Sequence, residues 1–597
     1  MEITRIFDIL DNARKLYSYK SDYLACKENG AWVRYSVEEY YQFVQNISYG
    51  LLALGLQKGD RIASISNNRP EWNFFDMAIN QTGLVHVPIY PTVSESEYEY
   101  ILKHCEPRLL LISDKILFQK LEPIAKKVTS IFDIVTFSSV PGVKNWKEIC
   151  DLGINKSNEL RNVLSKIKSE ITSDEMTTLI YTSGTTGNPK GVMLTHKNIL
   201  SNLWGISQVF NFTEADTTLS FLPLCHVFER TINYYFQKNG ISIYYAENMG
   251  TIADNLKEVK PTVFIAVPRV LESIYAKLIG AGKDLKIFKR LLFFWAVNLG
   301  LRFEFQRKNG WFYHIKLSLA DKLIFSKWRE ALGNRVSIIV TGGAALQERL
   351  IRIFNAAGIP VVEGYGMTET SPVIAACNFL TGEVMIGTVG PVIPGMEVMI
   401  SCDGEILVRG DSVMNGYYKE PELTREAFDE EGWFHTGDVG MLIDNKFLKI
   451  TDRKKEIFKL SNGKYISPQV IENKLKESFF IEQAMVVGNN EKFASVIIAP
   501  NFPFLFKWCK IHGIDFNGKI DLITNHKVIE RYQKEINEIN KELGPIEQIK
   551  KFRLVQEEWT QHTRELSPTL KLRRRHLYSE YKEVIAEIYP EQKNGKI

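Results

Sequence analysis

The sequence is poor in the features that define several classes of protein. Its 597 residues include only seven cysteines, an odd number, scattered without a CxxC pair or a neighbouring histidine cluster. This scarcity disfavours a disulfide scaffold and a zinc site, and it fits reduced thiols in a cytoplasm. No apolar run of about 18 residues occurs, so no membrane-spanning helix is predicted. The amino terminus, MEITRIFDILDNARKLYSYK, carries charges where a signal peptide has an uninterrupted apolar stretch.

The chain also lacks a bias of charge. Its 74 basic and 70 acidic residues leave a net charge of +4. Such a small excess argues against a dedicated nucleic-acid-binding protein, so no nucleic-acid partner is expected. The length predicts several structural units, because domains commonly hold roughly 100 to 200 residues.

One glycine-rich segment is the most informative part of the sequence. Residues 181–191 read YTSGTTGNPKG. The glycines allow backbone amides to turn toward anionic oxygens, the Ser and Thr residues supply hydroxyl donors, and Lys190 supplies a mobile positive charge. The segment therefore predicts a loop that holds a triphosphate.

Two other interpretations of this loop compete with the phosphate site, a Walker A loop and a mobile surface loop. A Walker A loop has a lysine followed by Ser or Thr ahead of a helix, whereas this loop ends Asn-Pro-Lys-Gly. Its flanks, residues 178–181 and 192–195, have the composition of short strands, so the loop is predicted to join two strands. That arrangement disfavours a P-loop NTPase. A mobile surface loop has the same composition, and the loop alone leaves that alternative open.

The remaining pattern predicts alternating helices and strands. Residues 61–66 are expected to form a strand, residues 71–81 a helix and residues 83–89 the next strand. Such βαβ units favour parallel sheets with helices on both faces and ligands at the carboxyl ends of the strands. Residues 372–450 change to short strands with many glycines, which predicts a small barrel-like β unit. Mixed helix and strand follow after Asp452.

Four further motifs follow the loop in a fixed order. They are VVEGYGMTET at residues 361–370, GWFHTGDVG at 432–440, DRKKEIFKLSNGKYISP at 452–468, and SPTLKLRRR at 567–575. Together, the five motifs resemble the acyl-adenylate-forming (AMP-binding) superfamily of acyl-CoA synthetases, peptide-synthetase adenylation domains and luciferases. The sequence LPLCHVFER at residues 222–230 and the long segment 269–341 are similar to the long-chain fatty acyl-CoA synthetase branch.

The resemblance implies a fold and a division into domains. The implied α/β fold has a large amino-terminal domain, made of two doubly wound α/β subdomains and a small distorted β-barrel. A small, mobile α+β carboxy-terminal domain follows it. In this sequence the large domain is expected to span residues 1–451, with the barrel-like part at about 372–450. The small domain is expected to span residues 452–597, with the hinge at Asp452.

The resemblance also implies a reaction. A long-chain fatty acid is activated with ATP to acyl-AMP with release of pyrophosphate, and the acyl group then passes to coenzyme A, giving acyl-CoA and AMP. Mg²⁺ is the implied cofactor, and a homodimer is the implied assembly. Both reactants of the first step are anionic, so charge neutralisation and positioning are expected to dominate catalysis.

Three alternative activities stay open at this point. A fatty acyl-AMP ligase would load a carrier protein, and a medium-chain or aryl acid CoA ligase would share all five motifs. A non-catalytic fatty-acid-binding or scaffold protein is the third alternative. It is disfavoured because the chain retains Lys190, Glu369, Asp438, Arg453 and Lys571 together.

The resemblance assigns ATP and AMP binding to residues in several motifs. They are Thr182, Ser183, Gly184, Thr185, Thr186, Gly187, Lys190, Gly343, Ala344, Gly364, Tyr365, Gly366, Thr368, Asp438 and Arg453. Thr185 and Lys190 are expected at the β- and γ-phosphates. Asp438 is expected at the ribose, because a carboxylate can accept two hydrogen bonds from a vicinal diol. Tyr365 is expected to stack on adenine, which Gly343 and Ala344 border. A turn role for Asp438 and a core position for Tyr365 are the competing interpretations.

The resemblance assigns catalysis to Lys571, Glu369, Thr368 and His226. Glu369 is the expected Mg²⁺ ligand, because this ion favours one or two carboxylates with phosphate oxygens and water. Thr368 is expected at the α-phosphate, Lys571 at the reacting carboxylate and α-phosphate, and His226 near the acyl carboxylate. The alternatives are a solvated loop carboxylate for Glu369, a basic surface run for Lys571 and a core histidine for His226.

Two more segments carry functional expectations. Ser461, Asn462, Gly463 and Lys464 are expected to line a channel for coenzyme A after the small domain rotates about Asp452. Residues 283–316 interleave basic and aromatic side chains, a pattern that suits an amphipathic region lying against the inner face of a membrane. Helix packing inside the protein predicts the same spacing, so both interpretations of 283–316 stay open.

Overall fold

The computed structural model describes residues 2–182, 188–378, 381–561, 563–567 and 570–590. Their contacts divide the chain into two compact units. Unit 1 comprises the described residues within Met1–Met399, Leu407–His435 and Asp444–Leu448, and unit 2 those within Ile400–Ile406, Thr436–Ile443 and Lys449–Ile597. The predicted α/β class is confirmed. The predicted hinge at Asp452 stays a prediction.

The described chain contains 25 strands of two to ten residues. They are β1 Leu24–Glu28, β2 Ala31–Tyr35, β3 Arg61–Ile65, β4 Val85–Ile89, β5 Leu109–Ile112, β6 Asp133–Thr136, β7 Lys144–Asn145, β8 Met176–Thr182, β9 Lys190–Thr195, β10 Thr217–Ser220, β11 Ser242–Tyr245, β12 Val263–Ala266, β13 Ile338–Thr341, β14 Val361–Gly366, β15 Val373–Ala376, β16 Met396–Ile400, β17 Glu405–Gly410, β18 Gly416–Tyr417, β19 Phe434–Ile443, β20 Phe447–Arg453, β21 Phe458–Lys459, β22 Tyr465–Ile466, β23 Ile481–Val487, β24 Ser495–Pro500 and β25 Lys551–Leu554.

The same residues form 21 α-helices. They are α1 Asp8–Leu16, α2 Val37–Ala53, α3 Pro70–Gln81, α4 Glu95–Cys105, α5 Lys115–Ala125, α6 Trp146–Glu170, α7 His196–Ser207, α8 Val227–Lys238, α9 Ile252–Val259, α10 Pro268–Lys283, α11 Ile287–Gly300, α12 Trp311–Ala320, α13 Ser326–Ala331, α14 Glu348–Ala356, α15 Pro421–Glu426, α16 Pro468–Leu475, α17 Phe502–Ile511, α18 Lys519–Thr524, α19 His526–Asn540, α20 Arg574–Glu580 and α21 Lys582–Ile588. No helix in these described ranges is both long and apolar enough to cross a bilayer.

Unit 1 is built on two eight-stranded mixed sheets. The strand order is β15-β14-β13-β12-β10-β11-β1-β2 in one and β18-β9-β8-β4-β3-β5-β6-β7 in the other. Most neighbouring strands are parallel, and antiparallel pairs occur at the edges, where β2 pairs with β1, β15 with β14, and β9 with both β8 and β18. The parallel strands are apolar and buried, as expected for strands covered by helices on both faces.

The strands on either side of the glycine-rich loop confirm the predicted strand–loop–strand arrangement. β8 ends at Thr182 and β9 begins at Lys190, and these two residues are register partners in an antiparallel pair. The two strands therefore bring both ends of the loop together. Ser183, Gly184, Thr185, Thr186 and Gly187 lie outside the described residues.

A buried polar network joins two helices to one of the sheets in unit 1. The Arg230 guanidinium on α8 forms an ion pair with Asp76 on α3 and donates a 2.6 Å hydrogen bond to the Thr178 hydroxyl on β8. His86 on β4 lies 2.6 Å from the Asp76 carboxylate. Burial would raise the pKa of Asp76, but the Arg230 charge and the His86 hydrogen bond outweigh it and lower that pKa. The carboxylate is therefore ionised and holds three elements together.

Residues 396–453 form a four-stranded sheet in the order β16-β17-β19-β20. This sheet occupies most of the region in which the sequence predicts a barrel-like β unit. Pro391 and Phe447 form an additional isolated bridge near it. In this part of the chain the contacts assign residues alternately to unit 1 and unit 2.

Unit 2 contains a hairpin, β21-β22, and a three-stranded sheet, β23-β24-β25, packed against α16 and its neighbours. Its Arg574 is largely buried and donates two hydrogen bonds to the Glu472 carboxylate, at 2.8 and 2.7 Å, and one to Glu456. The planar guanidinium matches a carboxylate in this two-bonded geometry. The ion pairs with Glu472 hold the start of α20, which includes the last two residues of the SPTLKLRRR motif, against α16.

Candidate active site

The phosphate-loop lysine lies at the first position of β9 in unit 1. The Lys190 ammonium is 4.7 Å from the centroid of the Tyr417 ring. Among the described residues, Lys190 forms no ion pair with a carboxylate. Its charge is thus held by an aromatic face, which attracts a cation without neutralising it.

Glu369 lies in a short 3₁₀ turn, Thr368–Thr370, that follows β14. The Tyr417 hydroxyl donates a 3.0 Å hydrogen bond to Glu369 Oε1, and the Met414 amide donates a 2.8 Å hydrogen bond to the Glu369 carbonyl oxygen. Thr368 and Glu369 are both half-buried. Unit 1 therefore brings Lys190 and Glu369 to the same tyrosine.

No group of three or more His, Cys, Asp or Glu side chains that could hold a metal occurs in the described ranges. Among the described residues, Glu369 is thus not part of a protein-built cage. Mg²⁺ is commonly bound by one or two carboxylates with substrate phosphates and retained water. The donor set fits Mg²⁺ in that form and does not fit a structural zinc or calcium site.

The predicted adenine residues lie at the carboxyl ends of two neighbouring parallel strands. β13 and β14 pair with Thr341 opposite Glu363, so the segments that follow, Gly343-Ala344 and Gly364-Tyr365, emerge at one edge of the sheet. Gly343 has φ +81°, a conformation that glycine adopts without strain. Gly343 and Ala344 are exposed and Tyr365 is half-buried.

Two further contacts shape this edge. The Glu363 carboxylate accepts a 3.0 Å hydrogen bond from the Leu346 amide, which ties the turn after β13 to β14. Burial raises the pKa of Glu363 to about 8, so its carboxyl is mostly neutral near pH 7. A Cβ on Gly366 would lie 1.8 Å from the Pro372 carbonyl oxygen, so no larger residue fits where the chain turns toward Glu369.

His226 occupies the N-cap position of α8. Its Nδ1 accepts a 3.1 Å hydrogen bond from the Phe228 amide, and its ring meets the Tyr90 ring edge-on at 6.3 Å. Because Nδ1 is the acceptor, a neutral imidazole carries its proton on Nε2. His226 is half-buried and can present this N–H as a donor.

Glu229, one turn into α8, is enclosed. Its Oε1 accepts hydrogen bonds from the Ser220 hydroxyl at 2.5 Å and the Asn233 amide at 3.1 Å, while Oε2 has no partner among the described residues. Burial raises the pKa of Glu229 to about 7. This carboxyl connects the end of β10 to α8 and exchanges its proton near neutral pH.

The predicted ribose residues lie together in unit 2. Arg453 Nε donates a 3.1 Å hydrogen bond to Asp438 Oδ1, and Asp438 is buried. Glu405 accepts hydrogen bonds from the Gly437 amide at 2.9 Å and from Lys454 Nζ at 2.7 Å. Glu405 therefore fixes the residues immediately before Asp438 and after Arg453.

Asp452, the predicted hinge residue, is enclosed by backbone donors. Its carboxylate accepts hydrogen bonds from the Arg453 amide at 2.6 Å and the Gln469 amide at 3.2 Å. Burial raises its pKa to about 7. The carboxylate thus connects the end of β20 to the start of α16.

Lys571 and the predicted coenzyme A segment are exposed. The Lys571 amide donates to the Ser567 hydroxyl at 3.0 Å, and the Ser567 amide donates to the Lys571 carbonyl at 2.8 Å, closing a turn whose Pro568 and Thr569 lie outside the described residues. Ser461, Asn462, Gly463 and Lys464 form the exposed turn of the β21-β22 hairpin. Gly463 has φ +84°, which accounts for glycine at that position.

Sequence reasoning missed Tyr417, Glu363 and Glu405. Tyr417 lies outside the five motifs, and only the pairing of β18 with β9 places it beside Lys190. The Gly416-Tyr417 dipeptide gave no functional signal on its own. Glu363 is inside a quoted motif, but its buried hydrogen bond to a distant turn cannot be read from local sequence.

Comparison with known proteins identifies the family. The chain matches the family model described as "AMP-binding enzyme" over residues 14–418 and the one described as "AMP-binding enzyme C-terminal domain" over residues 455–593. It is 32% identical over 579 residues to long-chain-fatty-acid–CoA ligase FadD15 of Mycobacterium bovis, with 94% of this chain and 93% of that protein covered. It is also 32% identical to long chain acyl-CoA synthetase 4 of Arabidopsis thaliana, with 94% and 87% covered.

Solved structures share the fold at lower identity. The adenylation domain of a carboxylic acid reductase from Segniliparus rugosus, in complex with AMP and a co-purified carboxylic acid, superposes with a TM-score of 0.74 at 19% identity, covering 98% of this chain and 94% of that one. An anthranilate CoA ligase in complex with anthranoyl-AMP gives a TM-score of 0.71 at 18% identity, with 98% of both chains covered. These similarities establish the fold.

The Glu229→Gln substitution is expected to remove a pH dependence of stability. The pKa of Glu229 is about 7 in the folded chain and 4.5 ordinarily, so the folded state keeps a proton that the unfolded state releases between these values. The free energy of unfolding of the wild type should therefore fall, relative to that of the variant, as pH rises from about 4.5 to 7. The slope should be at most about 1.4 kcal/mol per pH unit, and the difference should stay constant above about pH 7.

Denaturant unfolding of both proteins across this pH range measures the difference. Glu159→Gln, at an exposed position on α6, is the matched control and should run parallel to the wild type. Parallel curves for Glu229→Gln would contradict the prediction.

Proposed function

We propose that this chain, which belongs to the AMP-binding enzyme family, activates a long-chain fatty acid with ATP and transfers the acyl group to coenzyme A. The observation that carries the proposal is the convergence of Lys190 and Glu369 on Tyr417, because it brings the cation proposed for the phosphates and the carboxylate proposed for Mg²⁺ to one side chain. Two relatives that are named for this activity and that align with nearly the whole chain support the substrate class.

The first half-reaction joins two anions. The fatty acid carboxylate attacks the α-phosphorus of ATP, the bond to pyrophosphate breaks, and acyl-AMP forms. Lys190 is proposed to offset the charge of the β- and γ-phosphates, with hydroxyl and amide donors from the loop that includes Thr182 and Thr185. Positioning and charge neutralisation of this kind supply most of the rate enhancement in phosphoryl-group chemistry.

Glu369 is proposed to hold Mg²⁺ together with phosphate oxygens. When bound, the ion neutralises part of the triphosphate charge. Thr368, the preceding residue, is proposed to donate its hydroxyl to the α-phosphate. The hydrogen bond from Tyr417 orients the Glu369 carboxylate before any nucleotide arrives.

The reacting groups are proposed to meet two further donors. His226, whose Nδ1 accepts a hydrogen bond from the Phe228 amide, is proposed to lie near the fatty acid carboxylate. Lys571 is proposed to contact that carboxylate and the α-phosphate oxygens in the transition state. Lys571 is exposed on a turn of unit 2.

The nucleoside is proposed to bind through two groups of residues. Tyr365 gives adenine a stacking face, with Gly343 and Ala344 leaving room for the base. Asp438 accepts hydrogen bonds from the ribose hydroxyls, and Arg453 supports that carboxylate through its 3.1 Å hydrogen bond.

The second half-reaction is proposed to use the hairpin turn centred on Gly463. The thiol of coenzyme A attacks the acyl carbon of acyl-AMP, and AMP leaves with the bonding electron pair. A turn without a side chain at Gly463 allows a pantetheine arm to pass close to the backbone. Rotation about Asp452 would exchange Lys571 for this turn, and a homodimer is the proposed assembly.

An assay with a panel of acids tests the function. Purified protein, Mg²⁺-ATP and coenzyme A are incubated with short-chain, medium-chain, long-chain and aryl acids while AMP and thioester are followed together. We expect long-chain acids to give the highest kcat/KM and one thioester per AMP. Acyl-AMP without free acyl-CoA would favour a fatty acyl-AMP ligase, and a preference for shorter or aryl acids would overturn the long-chain assignment.

Lys571→Ala is expected to slow adenylation much more than thioester formation from supplied acyl-AMP. Loss of one donor aimed at developing charge costs about 10²–10³-fold in rate, and only the first half-reaction needs this donor. Arg575→Ala, an exposed neighbour in the same basic run, is the matched control and should leave both steps near wild type. An equal fall in both half-reactions of Lys571→Ala would contradict the assignment.

The surface of α11 and α12 supports contact with an anionic membrane. Large apolar side chains are exposed along both helices, with Phe288 89% and Trp311 65% exposed. An open depression of about 440 Å³ on α11 is lined by Phe288, Lys289, Leu291, Leu292 and Trp295. The two helices contain basic residues and no acidic residue. Helices with exposed aromatic side chains and only basic charged residues fit the interface of a bilayer that contains acidic lipids.

Charge reversal at Lys286, Lys289 and Arg290 together is expected to weaken co-sedimentation with phosphatidylglycerol-containing vesicles by about 10-fold or more, since each basic residue contributes roughly 1 kcal/mol near an anionic surface. Phe288→Ser combined with Trp311→Ser should weaken binding even to neutral vesicles. Ile116→Ser removes an equally exposed apolar side chain elsewhere, on α5, and is the control. Unchanged sedimentation of both multiple variants would remove the membrane contact.

A further inference from the structure

We infer that Tyr417 is a positioning residue for adenylation, which orients the metal-binding carboxylate of Glu369 and the phosphate-binding ammonium of Lys190 through one side chain. The inference rests on the proposed function and deepens it. Tyr417 lies outside every motif that marks the family in this sequence. Its role follows from the contacts of a two-residue strand.

The backbone of Tyr417 is fixed from both sides. It pairs with Val192 in the antiparallel β18-β9 ladder, and the following amide, of Tyr418, donates a 2.8 Å hydrogen bond to the Gly191 carbonyl. The Tyr417 amide donates a 2.9 Å hydrogen bond to the Thr424 hydroxyl. The tyrosine is therefore held in register two residues from Lys190.

Gly416 makes this approach possible. Its φ is +136°, and a Cβ there would lie 2.6 Å from the Thr424 methyl group. A side chain would push β18 away from Thr424 and shift the register with β9. The glycine before Tyr417 is thus required by packing.

The Tyr417 side chain serves the two charged groups with different parts. Its hydroxyl donates to Glu369 Oε1 at 3.0 Å, and the face of its ring lies 4.7 Å from Lys190 Nζ. The side chain is almost fully buried. In this contact the hydroxyl is the donor and the Glu369 carboxylate is the acceptor.

In this arrangement Lys190 and Glu369 do not neutralise each other. A direct ion pair would neutralise the lysine and the glutamate against each other, and ATP would have to break it before binding. A phenol holds the carboxylate by a single hydrogen bond and the ammonium by the negative face of the ring, and neither contact cancels a full charge. The site is thus arranged before Mg²⁺ and phosphate arrive, at little cost when they do.

Tyr417→Phe and Tyr417→Leu separate the two contacts. Phe keeps the ring face and removes only the hydroxyl, while Leu removes both. Titration calorimetry of ATP binding, without fatty acid, is carried out at a series of Mg²⁺ concentrations and in EDTA. Tyr418→Phe, which removes a neighbouring hydroxyl, is the matched control, and melting temperatures check that each variant is folded.

For Tyr417→Phe we expect the gain in ATP affinity produced by Mg²⁺ to shrink by about 10-fold, the size of losing one hydrogen bond to a charged group, with affinity in EDTA unchanged. For Tyr417→Leu we expect weaker ATP binding in EDTA as well, because the contact with Lys190 is lost. Thioester formation from supplied acyl-AMP should be unaffected in both variants.

Two results would overturn the inference. One is a wild-type Mg²⁺ dependence in Tyr417→Phe, and the other is an equal loss of affinity with and without Mg²⁺ in a folded Phe variant. Failure of the proposed function gives a different result. In that case the wild type itself would form no acyl-AMP from ATP and long-chain acids.

Discussion

The buried guanidinium of Arg230 sets the positions on which the rest of unit 1 depends. A guanidinium removed from water is costly unless each donor has a partner, and removal of one partner leaves an uncompensated charge. Arg230 meets this demand with Asp76 on α3, Thr178 on β8 and the Tyr234 hydroxyl on its own helix. These bonds fix the position of α8 relative to α3 and β8. β8 ends at Thr182, where the phosphate loop begins, and α8 begins at the residue after His226.

Local sequence predicts a helix or strand when the residues of that element themselves carry its characteristic pattern. The helix predicted at residues 71–81 is observed as Pro70–Gln81, because the proline suits the first helical turn and the apolar spacing continues to the end. The flanks of the phosphate loop were predicted as strands from their β-branched and apolar residues, and they are β8 and β9. The fold class followed from the alternation of such elements. The Arg230–Asp76 pair could not be predicted, because its partners lie 154 positions apart and neither residue marks the other.

The residues of the candidate site likewise comprise some that local sequence predicts and others that it does not. Residues within contiguous motifs were recognisable because their close spacing in sequence reflects closeness in the folded chain, as for Thr368 and Glu369 in one 3₁₀ turn. Residues that support those motifs from elsewhere gave no signal. Glu405 fixes Gly437 and Lys454 across the four-stranded sheet, and its sequence, GEILVRG, is that of an ordinary strand. Pairing between distant strands determines which side chains meet, and a single sequence does not contain that pairing.

The hydrogen-bond partners of the acidic residues of the site separate them into two physical classes. Glu229 and Glu363 are enclosed among neutral donors, and burial raises their pKa values to about 7 and 8. A carboxyl that holds its proton near neutral pH serves as a structural hydrogen-bonding group. It would have to ionise before it could bind a cation, and ionisation of a buried carboxyl costs free energy. Glu369 and Asp438 have different partners, a phenol hydroxyl and a guanidinium, each of which stabilises a carboxylate. The residues proposed to meet Mg²⁺ and ribose thus accept hydrogen bonds from a phenol and a guanidinium, whereas Glu229 and Glu363 accept theirs from neutral donors and keep the surrounding chain in place.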